Sequence, residues 1–132
     1  MIGDACSTHV ITGGNGSGHV DPYYQSSPLA GITAQAKGAQ VTFTGSADTA
    51  AAAAAAKAAD VAIVCTATSS SEGRDRLSLN LDNGANALVA AVAAAAKKTV
   101  VLIVAPGAVL TPFAKDVDAI IWMGMPGQEE GT

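Results

Sequence analysis

Two clusters of residues in this chain could do chemistry. One is the segment Met125-Pro-Gly-Gln-Glu-Glu-Gly131, where a Gly/Pro turn follows an apolar run and carries the adjacent carboxylates Glu129 and Glu130. The other is Ser69-Ser-Ser-Glu-Gly-Arg-Asp-Arg76, a polar loop that sets Glu72 and Asp75 beside Arg74 and Arg76. Carboxylates lifted off strand ends on loops suit proton transfer, because such loops face the crevice in which open α/β sheets bind ligands.

The elements that must position these groups are legible in the alternation of short apolar runs with longer Ala-rich stretches, which is the signature of βαβ units and a parallel sheet. Strands are expected at Gln40 to Thr44, Val61 to Thr66, Thr99 to Val104 and Ala119 to Met123, with Met1-Ile2-Gly3 as the tail of another. Most of these runs are continuous and rich in β-branched residues, as strands buried on both faces tend to be. Ser26-Ser-Pro28 offers a cap and a first-turn proline for a helix from Pro28 to Lys37 that ends at Gly38. Asp48 caps a second helix through the Ala50 to Ala59 tract, a covering helix rather than low-complexity sequence. A third is expected over Asn83 to Lys98, with Leu88 and Val92 on its inner face, and a short fourth around Val109 to Lys115. The long polar stretch from Asp4 to Gln25 is expected to lie on the same edge as the other loops.

Composition removes several classes of function. The 132 residues suit one domain, and seven Lys plus Arg against eleven Asp plus Glu leave no basic stripe for nucleic acid. No apolar run approaches the ~20 residues that cross a bilayer, so no membrane segment is expected. Gly13-Gly-Asn-Gly-Ser-Gly18 lacks the flanking strand and helix of a dinucleotide fingerprint, and no phosphate-loop lysine follows it. A flexible turn or a loop bordering a sugar site fits it better than a nucleotide site. His9 and His19 have no third ligand at metal spacing, and no cofactor is implied. Cys6 and Cys65 are both expected to be free, Cys65 as a small buried hydrophobe inside its strand.

Taken in order, Gly16-Ser-Gly-His-Val20, Ala59-Asp-Val-Ala-Ile-Val64, Glu72-Gly-Arg-Asp-Arg76 with Leu77-Ser-Leu-Asn-Leu81, Thr99-Val-Val-Leu-Ile-Val104 before Pro106-Gly, and Met125-Pro-Gly-Gln-Glu129 resemble the second, α/β sandwich domain of glycoside hydrolase family 3. The resemblance covers nearly the whole chain. It implies a three-layer sandwich with a mostly parallel sheet and flavodoxin-like or Rossmann-like topology. It further implies a retaining exo-acting β-glycosidase acting on β-glucosides or related oligosaccharides, with extracytoplasmic use. An N-terminal (β/α)8 barrel would carry the aspartate nucleophile, and this domain would supply the general acid/base. The Pro-Gly-Gln-Glu motif places that role on Glu129, with Glu130 as the other candidate where the family usually has a small residue. By the same resemblance Ser17 is a substrate contact at the mouth of the site.

Each of these residues has a plainer reading. Glu129 could be a solvated surface carboxylate. Glu72, Asp75 and Arg76 could form a local ion pair pinning their loop, with sugar or barrel contacts as the second reading. Trp122 reads as a core residue before a sugar-stacking platform, and Tyr23 and Tyr24 as residues docking their loop. With no barrel and no nucleophile segment in the sequence, the chain is expected to be either a domain of a longer glycosidase or a gene remnant, truncated at both ends and inactive alone. A noncatalytic carbohydrate- or partner-binding domain is the alternative.

Overall fold

The computed structural model describes residues 1–132. At its centre is a three-stranded parallel sheet in the order β1-β2-β3, formed by β1 (Ala62–Ala67), β2 (Thr99–Val104) and β3 (Ala119–Gly124). Ala62 pairs with Thr99, and Val100 with Ala119. These strands form where β-branched and apolar residues run without interruption, and β2 is buried on both faces as that composition requires.

Side chains alternate between two cores. Ala62, Val64, Val101 and Ile103 point to one face, where they meet α2 (Thr49–Ala58) and α3 (Ala85–Ala95). Cys65 and Leu102 point to the other, where Leu29 and Ile32 of α1 (Pro28–Gln35) and the 3₁₀ turn Asp4–Cys6 cover them. The result is the expected three-layer α/β arrangement. Val89 and Val92 of α3 are fully buried, each contributing about 1.5–3 kcal/mol of transfer free energy. The Ala tract of α2 buries only Ala52 and Ala56, one turn apart, so its small side chains serve close approach to α3 more than buried area.

Local chemistry explains the helix starts. The Ser27 hydroxyl accepts from the Ala30 N–H, with Pro28 in the first turn. Asp48 Oδ1 accepts from the N–H groups of Ala50 and Ala51 at 2.9 and 3.0 Å. α3 begins at Ala85 rather than Asn83, because Asn83 and Gly84 both adopt left-handed backbone at φ 55° and 69°. It ends before Lys97, whose ammonium instead pairs with Asp60 at 2.9 Å beside the start of β1.

Four expectations need correction. Gln40 to Thr44 is not a strand: only Thr44 bridges, to Ile2, which in turn bridges to Val64. The sheet continues past β1 as single rungs, with Ile2 N–H donating to Ile63 and Cys65 N–H donating to Ile2. Val109 to Lys115 is not a helix. Leu110 N–H is pinned to the Leu79 carbonyl at 2.8 Å and Pro112 has no N–H to give, so the segment forms isolated turns instead. Trp122 is 61% exposed because β3 is an edge strand, and with Ile103, Val109 and Ile120 it lines an open apolar groove. The two cysteines are joined as a Cys6–Cys65 disulfide. The Ile2 rung and the Asp4–Cys6 turn bring their Cα atoms to 5.1 Å across 59 residues of chain, a proximity that linear spacing does not reveal.

Candidate active site

Because β1, β2 and β3 are parallel, the segments that leave them, 68–84, 105–118 and 125–132, emerge at one edge of the sheet. The N-terminal stretch 7–27 reaches that edge as well. Near its middle, Asn15 N–H donates to the Ser70 carbonyl and Glu72 N–H donates to the Asn15 carbonyl, both at 3.0 Å. At its end, Ser26 N–H donates to Gln128 and Gly131 N–H donates to Ser26, both at 2.8 Å. The polar loop thus lies on the expected edge, and it also ties both carboxylate-bearing segments.

Glu72 is exposed at the tip of the segment that follows β1. Its Oε2 accepts from the Ser17 backbone N–H at 2.8 Å and from the Ser17 hydroxyl, and Oε1 has no partner in the chain. The two Ser17 donors hold the Glu72 carboxyl below its ordinary value. Gly16 makes the approach possible: its φ is +97°, and a Cβ there would lie 2.5 Å from the Glu72 Cβ.

Glu129 and Glu130 are held quite differently. Glu129 closes the 3₁₀ turn Gly127–Glu129. Its Oε1 accepts from the Tyr24 hydroxyl and its Oε2 from the Thr132 hydroxyl at 2.7 Å, so both oxygens are engaged within the chain. Tyr24 thereby docks its loop, while Tyr23 is fully exposed. Glu130 is buried, 4% exposed, with Oε2 lacking any hydrogen-bond partner. Burial raises its carboxyl from 4.5 to about 7, against a backbone contact from Ile11 that pulls it down. The segment also lies hard against α1, since a Cβ on Gly31 would meet the Gly131 carbonyl oxygen at 1.5 Å.

The expected ion pair among Glu72, Asp75 and Arg76 does not form, because Glu72 is turned to Ser17 and Arg76 Nη2 donates to the Ala108 carbonyl at 2.7 Å. Arg76 thereby ties the segment after β1 to the one after β2, and its Nη1 is buried without a partner. Asp75 and Arg76 still share an open polar cleft of about 530 Å³ with Asn15, Ser70, Arg74 and Asn80. Loop pinning falls to Asp82, which sequence reading passed over. It accepts from the Thr68 hydroxyl at 2.9 Å and from the Ser69 N–H and hydroxyl at 2.8 and 2.9 Å. Burial alone would raise its carboxyl, but these donors and the Arg76 charge outweigh burial and lower it. An Asp just before the Asn-Gly pair at a helix start was the available signal.

Comparison with known proteins decides the family, since the glycosyl hydrolase family 3 C-terminal domain matches residues 1–132. The chain belongs to that family. It is 37% identical to β-glucosidase cel3A of Pyricularia oryzae and, equally, to a probable β-glucosidase L of Aspergillus terreus, over 96% of its own length and 19% of theirs. Among solved structures it superposes on the Chaetomella raphigera β-glucosidase D2-BGL with a TM-score of 0.83 at 39% identity, covering 92% of this chain and 19% of that one. A family 3 β-glucosidase from Neurospora crassa gives 0.85 at 28% identity, covering 98% and 19%. The chain thus spans about a fifth of the length of the relatives it matches, and in glycosidases of this family it corresponds to a C-terminal α/β unit. No helix is long and apolar enough to cross a membrane.

Proposed function

We propose that residues 1–132 form one domain of a longer retaining β-glucosidase and that its edge of loops supplies the general acid/base for cleavage of terminal β-linked glucosides. The observation that carries this reading is Glu72. It is the carboxylate at that edge which is exposed, held in place through one oxygen and open at the other. In the proposed sequence an aspartate of the barrel domain attacks the anomeric carbon while the acid gives its proton to the departing oxygen, leaving a glycosyl-enzyme. The resulting carboxylate then takes a proton from water as that water displaces the enzyme's aspartate. A general acid must hold its proton near the working pH, whereas the Ser17 donors favour the charged form in this chain. Docking of a barrel over the loops would remove water from Glu72 and push its carboxyl upward.

Glu129 is the second reading, supported by its place in Pro-Gly-Gln-Glu129 and by the Tyr24 and Thr132 hydroxyls that fix its position. Against it stands the engagement of both its oxygens, one of which would have to be released to meet a leaving group. Glu130 faces inward and has no route to a substrate oxygen without unpacking the segment. Asp75, Arg76 and the polar cleft beside Glu72 are proposed to line the approach of the sugar or of its leaving group. In this reading the second carboxylate of the double displacement comes from the barrel, so no turnover is expected from residues 1–132 by themselves.

The experiment is hydrolysis of an aryl β-glucoside by the purified chain and by the chain mixed with a family 3 barrel domain. Activity that appears only in the mixture supports a divided site. A folded chain that binds the barrel and gives no hydrolysis would overturn the catalytic assignment.

A further inference from the structure

We propose that Ser17 is the positioning residue for Glu72, fixing the carboxylate through one oxygen so that the other is presented outward, an inference that rests on Glu72 being the acid/base. Nothing in the sequence separates this role from the direct sugar contact expected of Ser17. The geometry does, because the Ser17 hydroxyl and backbone N–H are both spent on Glu72 Oε2.

The clamp is built by the backbone as well as by that side chain. Asn15 and Ser71 form a parallel bridge, with the Asn15 N–H and carbonyl flanking it at 3.0 Å on Ser70 and Glu72. At the next residue, the left-handed Gly16 turns the chain so that the Ser17 donors face the carboxylate they must meet. The loop is also closed on itself, with His19 Nδ1 3.3 Å from the Gly14 carbonyl, His19 Nε2 2.9 Å from Asp21 and His19 N–H donating to the Gly16 carbonyl at 3.1 Å. Ser17 therefore sits on a loop ordered before any ligand arrives, as a positioning group should. A carboxylate held at one oxygen keeps a single orientation while leaving the other free for the proton, which a glutamate with three rotatable bonds on an exposed loop would not otherwise do.

The charged groups around Glu72 are few. On its own loop these are Arg74, Asp75 and Arg76, and on the clamp His19 and Asp21. None forms an ion pair with it, and His19 is committed to Asp21. The shift imposed on Glu72 thus comes from Ser17, which makes it a direct reporter of the contact.

The test has two arms. In the chain itself, the side-chain carboxyl of Glu72 is titrated by carbon-detected NMR in the wild type, Ser17→Ala and Ser17→Thr. Ser17→Ala is expected to raise the midpoint toward the ordinary 4.5, and Ser17→Thr to keep it low. Equal midpoints in all three would overturn the inference, whatever Glu72 does in catalysis. In the assembly with the barrel, Ser17→Ala is expected to lower kcat about 10-fold to 100-fold with little change in KM. The same variant should move the alkaline limb of kcat/KM to higher pH, because the acid then keeps its proton longer. His19→Gln is the control for the other titrating group on the loop and should leave the Glu72 midpoint unchanged. A Ser17→Ala effect confined to KM would instead identify a substrate contact and contradict the positioning role. Full activity of Glu72→Gln in the same assembly would remove the acid/base reading while leaving the titration result intact, so the two failures are distinguishable.

Discussion

The segments that follow β1 and β3 leave the same edge of one parallel sheet, and each lifts a glutamate into a loop, yet they use it in opposite ways. After β1, Glu72 is gripped at one oxygen by Ser17 and exposed at the other. After β3, Glu129 has both oxygens taken by Tyr24 and Thr132, and its neighbour Glu130 is driven into the protein without a partner for Oε2. The first segment presents a carboxylate and the second fastens a chain end against α1. A sequence motif can mark either; each glutamate accepts two hydrogen bonds, and the difference lies in their distribution, which leaves Glu72 Oε1 wholly free and neither oxygen of Glu129 so.

That contrast can be broken from several sides. The largest effect on stability should come from the tether beneath both loops. Cys6→Ser removes a cross-link spanning 59 residues, which the loop-closure relation values at about 4 kcal/mol. Thermal unfolding of the variant, or of the wild type with a reductant, should fall by many degrees. An unchanged midpoint would show that the bond does not form in solution. Next, Asp82→Ala strips three donors of their acceptor at the root of the Glu72 loop and should cost about 1–3 kcal/mol. Hydrogen exchange at residues 68–84 should quicken while 125–132 stays protected, and equal quickening in both would erase the distinction between them.

Glu130 gives a pH signature. Its folded carboxyl holds a proton more tightly than the unfolded one, so the folded state binds more protons between pH 4.5 and about 7. Stability should therefore be greatest below this window, decline as pH rises through it and level off above. Glu130→Gln should flatten that decline and raise the melting temperature at pH 8, and a decline that persists unaltered would assign it to another group. The smallest effect is expected from Tyr24→Phe, about 0.5–1.5 kcal/mol, together with faster exchange at the end of the chain. No disturbance of the Glu72 titration should accompany it.

Much of this was legible in advance. The three central strands, the caps at Ser27 and Asp48 and the three helices follow from local patterns of apolar runs, capping residues and proline placement. What escaped depends on partners distant in sequence. Gln40 to Thr44 has strand composition but finds only one rung to pair with, because Ile2 is the sole residue of the N-terminal segment bridged to it. Trp122 has core composition but falls on an edge strand. Cys6 and Cys65 meet only because that same Ile2 rung lies beside β1. At the candidate site, the motif drew attention to Glu129, whereas the way hydrogen bonds are shared between the two oxygens of Glu72 and of Glu129 depends on Ser17, Tyr24 and the loop that carries them, which linear sequence does not reveal.

The central claim is tested most directly by comparing Glu72→Gln with Glu129→Gln in the barrel-containing enzyme across aryl β-glucosides of graded leaving-group pKa. With Glu72 as the acid/base, kcat/KM for Glu72→Gln should fall by about 10²–10⁴ on the poorest leaving groups and much less on the best, while Glu129→Gln loses activity evenly if at all. The same steep dependence on leaving group in Glu129→Gln, with Glu72→Gln near wild type, would contradict the account and move the acid/base to the segment after β3.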